Sequence, residues 1–277
     1  MILASLKETI GLLLHKPVLW INGLAVGILS ALELLLSFGD AGFYAERIWI
    51  LEVLVMPFLV AGTFGMIRDH EFALSAWLRN GRKYYFNVLL PSLLIFFAAI
   101  LTVFLAVITL IVLGIEPSLD IISFVAFGVI VPVVYFTFFY DAAAVFEQQK
   151  VFESLRRSVE FVISGGFRTF GFFIVLIALF LFIGMAALVL WSGLLAGQLE
   201  PLIQMSTDQL ETLMPEDILA LIDTTGMWIS AGIYAAALGL YVTILYPFKA
   251  VFYRYSVQPA ADPQGEYDEK GRWFKYS

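Results

Sequence analysis

The sequence predicts an all-α, polytopic membrane protein with six transmembrane helices, three amphipathic interfacial helices and a short helical outer loop. Of its 277 residues, 61% are hydrophobic and 14% are charged, whereas soluble domains average roughly 45–50% and about 25%. Six apolar runs are long enough to cross a hydrocarbon core of about 30 Å as helices. The runs are continuous, whereas the strands of a membrane β-barrel alternate polar and apolar residues. These observations exclude a soluble globular protein and a membrane barrel.

Charged or turn-forming residues bound each predicted span. The third and fifth runs exceed the thickness of the membrane, so we expect them to tilt or to extend into the interface. Each returning helix carries a proline, at Pro57, Pro132 and Pro247, and proline permits a kink that neighbouring helices accommodate. The predicted spans are residues 17–38, 49–67, 86–114, 120–140, 167–197 and 227–248.

The N-terminal run has a competing interpretation as a secretory signal peptide, because Lys7 and Lys16 precede it. Signal peptides have an apolar centre of roughly 7–15 residues before a cleavage site with small residues. Here the apolar stretch is longer and contains Glu33. The pattern therefore favours a first span that is retained in the protein.

The positions of Lys and Arg predict the orientation. Basic residues in short loops stay on the cytoplasmic side of a membrane. With the six predicted spans, every Lys and Arg except Arg47 falls on the side that carries both termini. We therefore expect a multi-pass protein of the cell membrane whose N- and C-termini are cytoplasmic.

Three segments on that side carry apolar residues at helical spacing and predict interfacial helices. They cover residues 2–13, 74–84 and 151–162, and each precedes a predicted hairpin of two spans. Residues 5–10 and 154–159 match in residue type at five of six places. We interpret the chain as three copies of one unit. The alternative is that the similarity and the three prolines are coincidental, since proline is common in membrane helices.

Two segments outside the spans are candidate docking sites for a protein partner. In the outer loop, Ser206 with Gln209 and Pro215 with the acids after it predict two short helices. Residues 259–277 contain few aliphatic side chains and predict a flexible cytoplasmic tail beyond a membrane domain at 1–258. The acidic loop and the aromatic end of the tail are the two possible docking segments.

The chemistry available to the chain is narrow. The sequence contains no cysteine, so thiolate metal sites and cysteine nucleophiles are excluded. The only histidines, His15 and His70, lie outside the spans, and no hydrolase, protease or nucleotide-binding motif occurs. The net charge of -7 gives no sign of nucleic-acid binding. We therefore predict a protein that is not an enzyme and has no metal or other cofactor.

Charged residues inside spans are candidates for function because the bilayer makes them costly. Glu33 in span one and Glu52 in span two fall at similar predicted depth, with Arg47 as a possible partner. They form a candidate ion or proton site, and the alternative is two carboxylates that reach interfacial water.

Two further groups of residues are candidate sites. Basic residues of the interfacial helices are candidate contacts for anionic lipid, or only determinants of topology: Arg79, Arg82, Lys83, Arg156 and Arg157. The polar end of span four is a candidate cavity lining, or simply a packing surface between helices: Tyr135, Tyr140 and Asp141.

The junction after span four carries a family resemblance. It reads Asp141-Ala-Ala-Ala-Val-Phe-Glu147 and then Val151-Phe-Glu-Ser-Leu-Arg-Arg-Ser158, and the chain opens with Ser5-Leu-Lys and Lys16-Pro17 before its first span. To about Gln258 the chain resembles uncharacterised six-helix membrane proteins of prokaryotes, mainly archaea. These are similar to the membrane domain attached to some glycerophosphodiester phosphodiesterases. The resemblance implies an all-helical membrane fold and supplies no catalytic residue.

Few polar residues lie in the spans, so the sequence favours a non-catalytic module that organises membrane lipid or a partner protein. The alternative function is a small-molecule or ion transporter or channel. A polar cavity between the helices favours transport, whereas a solid helix core with lipid in side grooves favours the module.

Overall fold

The structure is a computed structural model. It describes residues 1–39, 41–116, 118–203, 205, 221–257, 265–267 and 273–275. These residues form eleven α-helices and a 3-10 turn at Pro17–Trp20 that leads into the second helix. The helices are α1 Ile2–His15, α2 Ile21–Phe38, α3 Gly42–Ala45, α4 Ile48–Asp69, α5 Leu74–Val112, α6 Leu119–Thr137, α7 Tyr140–Phe146, α8 Val151–Gly165, α9 Phe167–Leu194, α10 Glu200–Ile203 and α11 Thr224–Val257.

Six helical stretches are long and apolar enough to cross a membrane, which confirms the predicted all-α polytopic fold. The first combines the 3-10 turn with α2, and the fourth combines α6 with α7. The six stretches are Pro17–Phe38, Gly42–Asp69, Leu74–Val112, Leu119–Phe146, Phe167–Leu194 and Thr224–Val257. We name the end of the bundle that holds α1, α8, the start of α5 and the end of α11 the basic end.

The predicted interfacial helix at residues 74–84 is not a separate element. Residues 74–84 form the first turns of α5, which continues without interruption to Val112. A helix needs a breaker or a cap to end, and the sequence between Tyr84 and the apolar run offers neither proline nor glycine. Even Pro91 lies within α5. Two of the three amphipathic segments, α1 and α8, are therefore independent helices.

The helices α1 and α8 turn their small hydroxyl residues inward. Ser5 and Thr9 of α1 are fully buried, and so are Ser154 and Ser158 of α8. Large apolar side chains such as Leu3 are exposed instead. Small polar residues let membrane helices approach closely, while exposed apolar chains suit lipid. Close packing against the bundle, which favours small residues, therefore decides which face of these two helices turns inward.

The buried core lies at the basic end rather than midway along the spans. In α5 the buried residues end at Pro91, in α9 they end at Leu176, and α6 has none among its described residues. Aromatic rings pack against one another within this core, with Phe161 and Tyr253 stacked at 4.7 Å between centroids and Phe172 and Phe252 at 4.5 Å. The far halves of α5, α6 and α9 therefore present apolar side chains to their surroundings.

Glycines bring α2 and α11 into backbone contact. A Cβ atom added to Gly23 would lie 2.1 Å from the carbonyl oxygen of Gly239 and 1.8 Å from Oγ1 of Thr243. A Cβ atom on Gly27 would lie 2.8 Å from the carbonyl oxygen of Ala235. The spacing of Gly23 and Gly27 places both glycines on one face of α2, which is typical of close helix pairs in membranes.

The predicted outer helices at Ser206–Gln209 and after Pro215 lie outside the described residues. At the base of this loop, the Nε2 atom of Gln198 donates to Oδ1 of Asp223 at 2.8 Å. In the predicted flexible tail, β1 (Gly265–Tyr267) pairs antiparallel with β2 (Trp273–Lys275). The flexibility of the tail and its role in docking stay predictions.

Candidate functional site

A buried ion pair joins α7 to α11. The Nζ atom of Lys249 donates to Oδ2 of Asp141 at 2.7 Å, and the two side chains are only 4% and 5% exposed. Oδ1 of Asp141 accepts a hydrogen bond from the backbone of Ala142, and the Lys249 ammonium lies 4.0 Å from the centre of the Phe138 ring. Two charges removed from solvent are tolerated when they are paired and hydrogen-bonded. Each charge of this pair therefore depends on the other.

A second cluster lies nearer the surface of the basic end. The Nε atom of Arg157 donates to both carboxylate oxygens of Glu147, at 2.8 and 2.9 Å, and the Tyr253 hydroxyl donates to Glu147 at 2.6 Å. The hydrogen bonds and charge of Glu147 raise the pKa of the Arg157 guanidinium. This cluster connects α8 and α11 at the end of α7.

A third cluster centres on Arg68 at the end of α4. Its guanidinium donates to both carboxylate oxygens of Asp69, to the Tyr84 hydroxyl and to the backbone carbonyl of Val145. Asn80 donates to the same Asp69 carboxylate at 3.3 Å. Guanidinium groups suit such sites because their donors are held in a rigid plane. Arg68 thereby fastens α4, α5 and α7 together.

The interfacial helix α1 is held by Arg254 of α11. Arg254 donates to the Glu8 carboxylate through Nη2 and to Nε2 of His70 through Nη1 at 3.2 Å. His70 ends α4 in a left-handed backbone conformation, with φ of 53°. Burial raises the pKa of Glu8, but hydrogen bonds from Tyr255 and Arg254 together with the charge of Arg254 outweigh it, so this pKa lies below its ordinary value.

The lowered pKa of Glu8 predicts that acid weakens the attachment of α1. The contribution of Glu8 to stability is complete above the ordinary carboxyl pKa of about 4.5 and is lost as the pH falls through the lower folded-state value. We expect wild type to unfold at a higher temperature than Glu8→Gln at neutral pH, and the difference to disappear in acid. Thermal unfolding measured across this pH range tests the expectation.

Glu71→Gln is the matched control, because Glu71 pairs with Arg79 through side chains that are about half exposed. Exposed pairs contribute little to stability, so this variant should follow wild type at every pH. A gap between wild type and Glu8→Gln that stays constant down to strong acid would contradict the assigned role of Glu8.

The predicted anionic-lipid contacts differ in whether they already form ion pairs with carboxylates of the protein. Arg157 is held by Glu147, Arg79 pairs with Glu71, and Arg156 pairs with Glu160 at 3.3 Å on an exposed surface. Arg82 and Lys83 are exposed, and the Lys83 ammonium lies 4.8 Å from the centre of the Tyr84 ring. Within the described residues neither Arg82 nor Lys83 forms an ion pair. Their contact with lipid stays a prediction.

Glu33 lies on α2 and Glu52 on α4, which are in contact with each other. Both side chains are half-buried. Arg47 is not their partner, because it lies over the Phe43 ring and pairs with Glu46 at 3.7 Å. A role for Glu33 and Glu52 as an ion or proton site stays a prediction.

Two of the three predicted cavity-lining residues border internal space. Tyr140 and Asp141 line one cavity of about 260 Å³ between α4, α5, α7 and α11, and a second of about 280 Å³ that also reaches Lys249. Tyr135 lines neither, because its ring packs against Phe173 of α9 with centroids 4.9 Å apart. The buried pair thus forms part of the wall of a small, partly polar space.

Two apolar grooves run along α11. One, of about 380 Å³, lies between α2, α9 and α11 and is bordered by Leu34, Ala187 and Tyr241. The other, of about 510 Å³, lies between α2 and α11 beside Gly23 and Gly239. Both are almost entirely apolar, and the indole nitrogen of Trp191 in the first groove is satisfied by Ser230 at 2.8 Å.

A family model described as a domain of unknown function (DUF7847) matches residues 1–256. The chain belongs to this family. The match covers every described helix and stops one residue before the end of α11. No curated protein and no solved structure matches the chain.

Sequence reasoning missed most of the polar clusters of this DUF7847 protein. Lys249 and Arg254 follow the apolar run of the sixth span, and the pattern marks them only as determinants of topology. The structure shows instead that α11 continues to Val257, so that both side chains face the bundle. The available signal was Pro247, since a proline so close to Lys249 indicates that helical packing continues around it.

Proposed function

We propose that this DUF7847 protein is a non-catalytic membrane module that holds lipid acyl chains in the grooves along α11. The observation that carries the proposal is the pair of apolar grooves between α2, α9 and α11. Their walls belong to stretches long and apolar enough to cross a membrane. The surroundings of such stretches are hydrocarbon, so a groove there fills with an acyl chain rather than with water.

The distribution of the core supports the same proposal. Ion pairs and aromatic rings close the basic end, whereas the far halves of α5, α6 and α9 contain no buried residue among those described. A bundle that is closely packed at one end and loosely packed at the other leaves lateral openings for lipid. We place the basic end in the cytoplasm, because basic residues gather there.

A large side chain that fills the groove between α2, α9 and α11 is expected to displace lipid from it. Ala187 is half-buried and borders the groove, so an indole at Ala187→Trp occupies the space of an acyl chain. We expect the purified variant to retain fewer lipid molecules than wild type, as counted by native mass spectrometry. Filling the groove removes the apolar contact area that holds the acyl chain.

Gly128→Trp is the matched control, since Gly128 lies on α6 with open space around it. This variant adds the same side chain outside the grooves and should retain the wild-type amount of lipid. Equal lipid retention by wild type and Ala187→Trp, with both folded, would contradict the groove as the lipid site.

One observation favours transport as a second candidate function. The two cavities beside Asp141 are partly polar, and the buried Asp141–Lys249 pair borders one of them. Paired charges within spans are common along ion and proton pathways. Flux of protons or cations into liposomes that carry the wild-type chain and the Glu33→Gln, Glu52→Gln and Asp141→Asn variants tests this alternative.

A further inference from the structure

The start of α9 has unpaired donors at the basic end. The helix α8 ends at Gly165, α9 begins at Phe167, and Gly166 between them has φ of 46° and ψ of -122°. No side chain caps α9. The first backbone N–H groups of a helix lack partners within the helix, and the helix dipole makes this end partially positive. An N-terminus without a cap can therefore accept an anion.

A small cavity of about 70 Å³ lies at this N-terminus. It is enclosed by α8, the first turn of α9 and the last turns of α11, and its polar lining is supplied by Arg157, Ser164, Arg168, Thr169 and Ser256. Water occupies about 30 Å³ per molecule in the liquid. The space is therefore suited to a compact group such as a tetrahedral oxyanion, and not to a large ligand.

Thr169 supplies an observation that is independent of the helix end. Its side chain is 1% exposed, and its Oγ1 atom has no hydrogen-bond partner among the described residues. Buried hydroxyl groups are nearly always hydrogen-bonded, because leaving one unpaired costs free energy. The hydroxyls of Ser164 and Ser256 already donate to carbonyls of their own helices. The unpaired Thr169 donor indicates that a ligand completes this site.

The charges around the cavity also favour an anion. The first turn of α9 contains no acidic residue. Arg168 is exposed and forms no ion pair within the described part of the chain. Arg157 is positioned by Glu147 through Nε, while its Nη1 atom is 3.9 Å from Glu160. Nη2 of Arg157 forms no hydrogen bond or ion pair within the described residues and is thus available to an oxyanion.

We propose that the N-terminus of α9 binds a phosphate group, held by Arg168, Arg157, the Thr169 hydroxyl and the first backbone N–H groups of the helix. The phosphate belongs either to a lipid headgroup or to a free phosphate ion. This site is separate from the apolar grooves, so it goes beyond the proposed function and does not depend on it.

To test this proposal, the full chain is purified in an uncharged detergent without phosphate and titrated with a probe. Calorimetry measures the heat of binding. One arm uses inorganic phosphate, the second uses a short-chain phosphatidylglycerol, and diacylglycerol with the same chains is the reference without phosphate. We expect wild type to bind at least one phosphate probe more tightly than the reference. Preference for inorganic phosphate assigns a free ion, and preference for phosphatidylglycerol assigns a headgroup.

Two variants connect that binding to the site. Arg168→Gln is expected to weaken it about fivefold, which corresponds to one basic residue near a membrane surface. Thr169→Val keeps the shape of the side chain and should weaken binding about tenfold, since hydrogen bonds to charged groups are stronger than neutral ones. The unfolding temperature of Thr169→Val should not fall, because the lost hydroxyl has no hydrogen-bond partner among the described residues.

Lys7→Gln is the control, because Lys7 is exposed on α1 at the same end of the bundle and does not line the cavity. This variant should bind as wild type does. Absence of binding by both phosphate probes would overturn the proposal, and so would wild-type affinity in Arg168→Gln. Because Arg168 is exposed, its substitution tests the site even if Thr169→Val fails to fold. Lipid retention by Ala187→Trp is a separate measurement, so either proposal can fail while the other stands.

Discussion

Gly23→Ala is expected to destabilise the protein by about 3 kcal/mol, which is the upper part of the usual range for overpacking. The added Cβ atom would lie 2.1 Å from the backbone carbonyl oxygen of Gly239 and 1.8 Å from Oγ1 of Thr243. A side chain can rotate away, but the carbonyl belongs to the backbone of α11. The two helices must therefore separate, and their contacts along the shared face weaken. Thermal unfolding in detergent measures the change.

Gly232→Ala is the control for this effect. Gly232 also lies in α11, but a Cβ atom added there has no neighbour within 4 Å. The control should be neutral or slightly stabilising, because alanine favours the helix more than glycine does. Equal unfolding temperatures for Gly23→Ala and Gly232→Ala would show that α2 and α11 are not in backbone contact.

Asp141→Asn and Lys249→Met are each expected to destabilise the protein by about 3–5 kcal/mol, because each leaves one buried charge without its partner. Asparagine retains the acceptor that binds the backbone N–H of Ala142. The effect of Asp141→Asn therefore reports the loss of the negative charge and not the loss of this hydrogen bond. Thermal or chemical unfolding of the single variants measures the cost.

The double variant Asp141→Asn with Lys249→Met removes both charges and should recover most of the lost stability. Glu46→Gln is the control, since Glu46 pairs with Arg47 at 3.7 Å through a side chain that is 79% exposed. Exposed pairs contribute about 0–1 kcal/mol. If the double variant lost as much stability as the two single variants together, the two charges would not depend on each other.

The fold was predictable because the bilayer acts locally on the sequence. A helix that crosses hydrocarbon must satisfy its own backbone, so each span has to be a continuous apolar run. The start of the first span at Pro17 and of the fifth at Phe167 agree with the structure. The start of α5 and the end of α11 were less predictable, since both helices continue through polar residues that fix no boundary.

The polar clusters were only partly predictable. Asp141 stands out at the end of an apolar span, whereas its partner Lys249 is more than a hundred residues away in the chain. The sequence pattern of α1 distinguishes an apolar from a polar face, but not which face meets the bundle. Ser5 and Thr9 turn inward because their small side chains permit close packing.

The sequence by itself determined that this is an all-α protein with six spans, because apolar length and charge act within each segment. Tertiary structure alone decided which charges pair, where the core lies and which faces remain open as grooves. Those features depend on the approach of segments distant in sequence, such as the glycine contact between α2 and α11. Their energies come from desolvation and close packing, and both arise only when the helices meet.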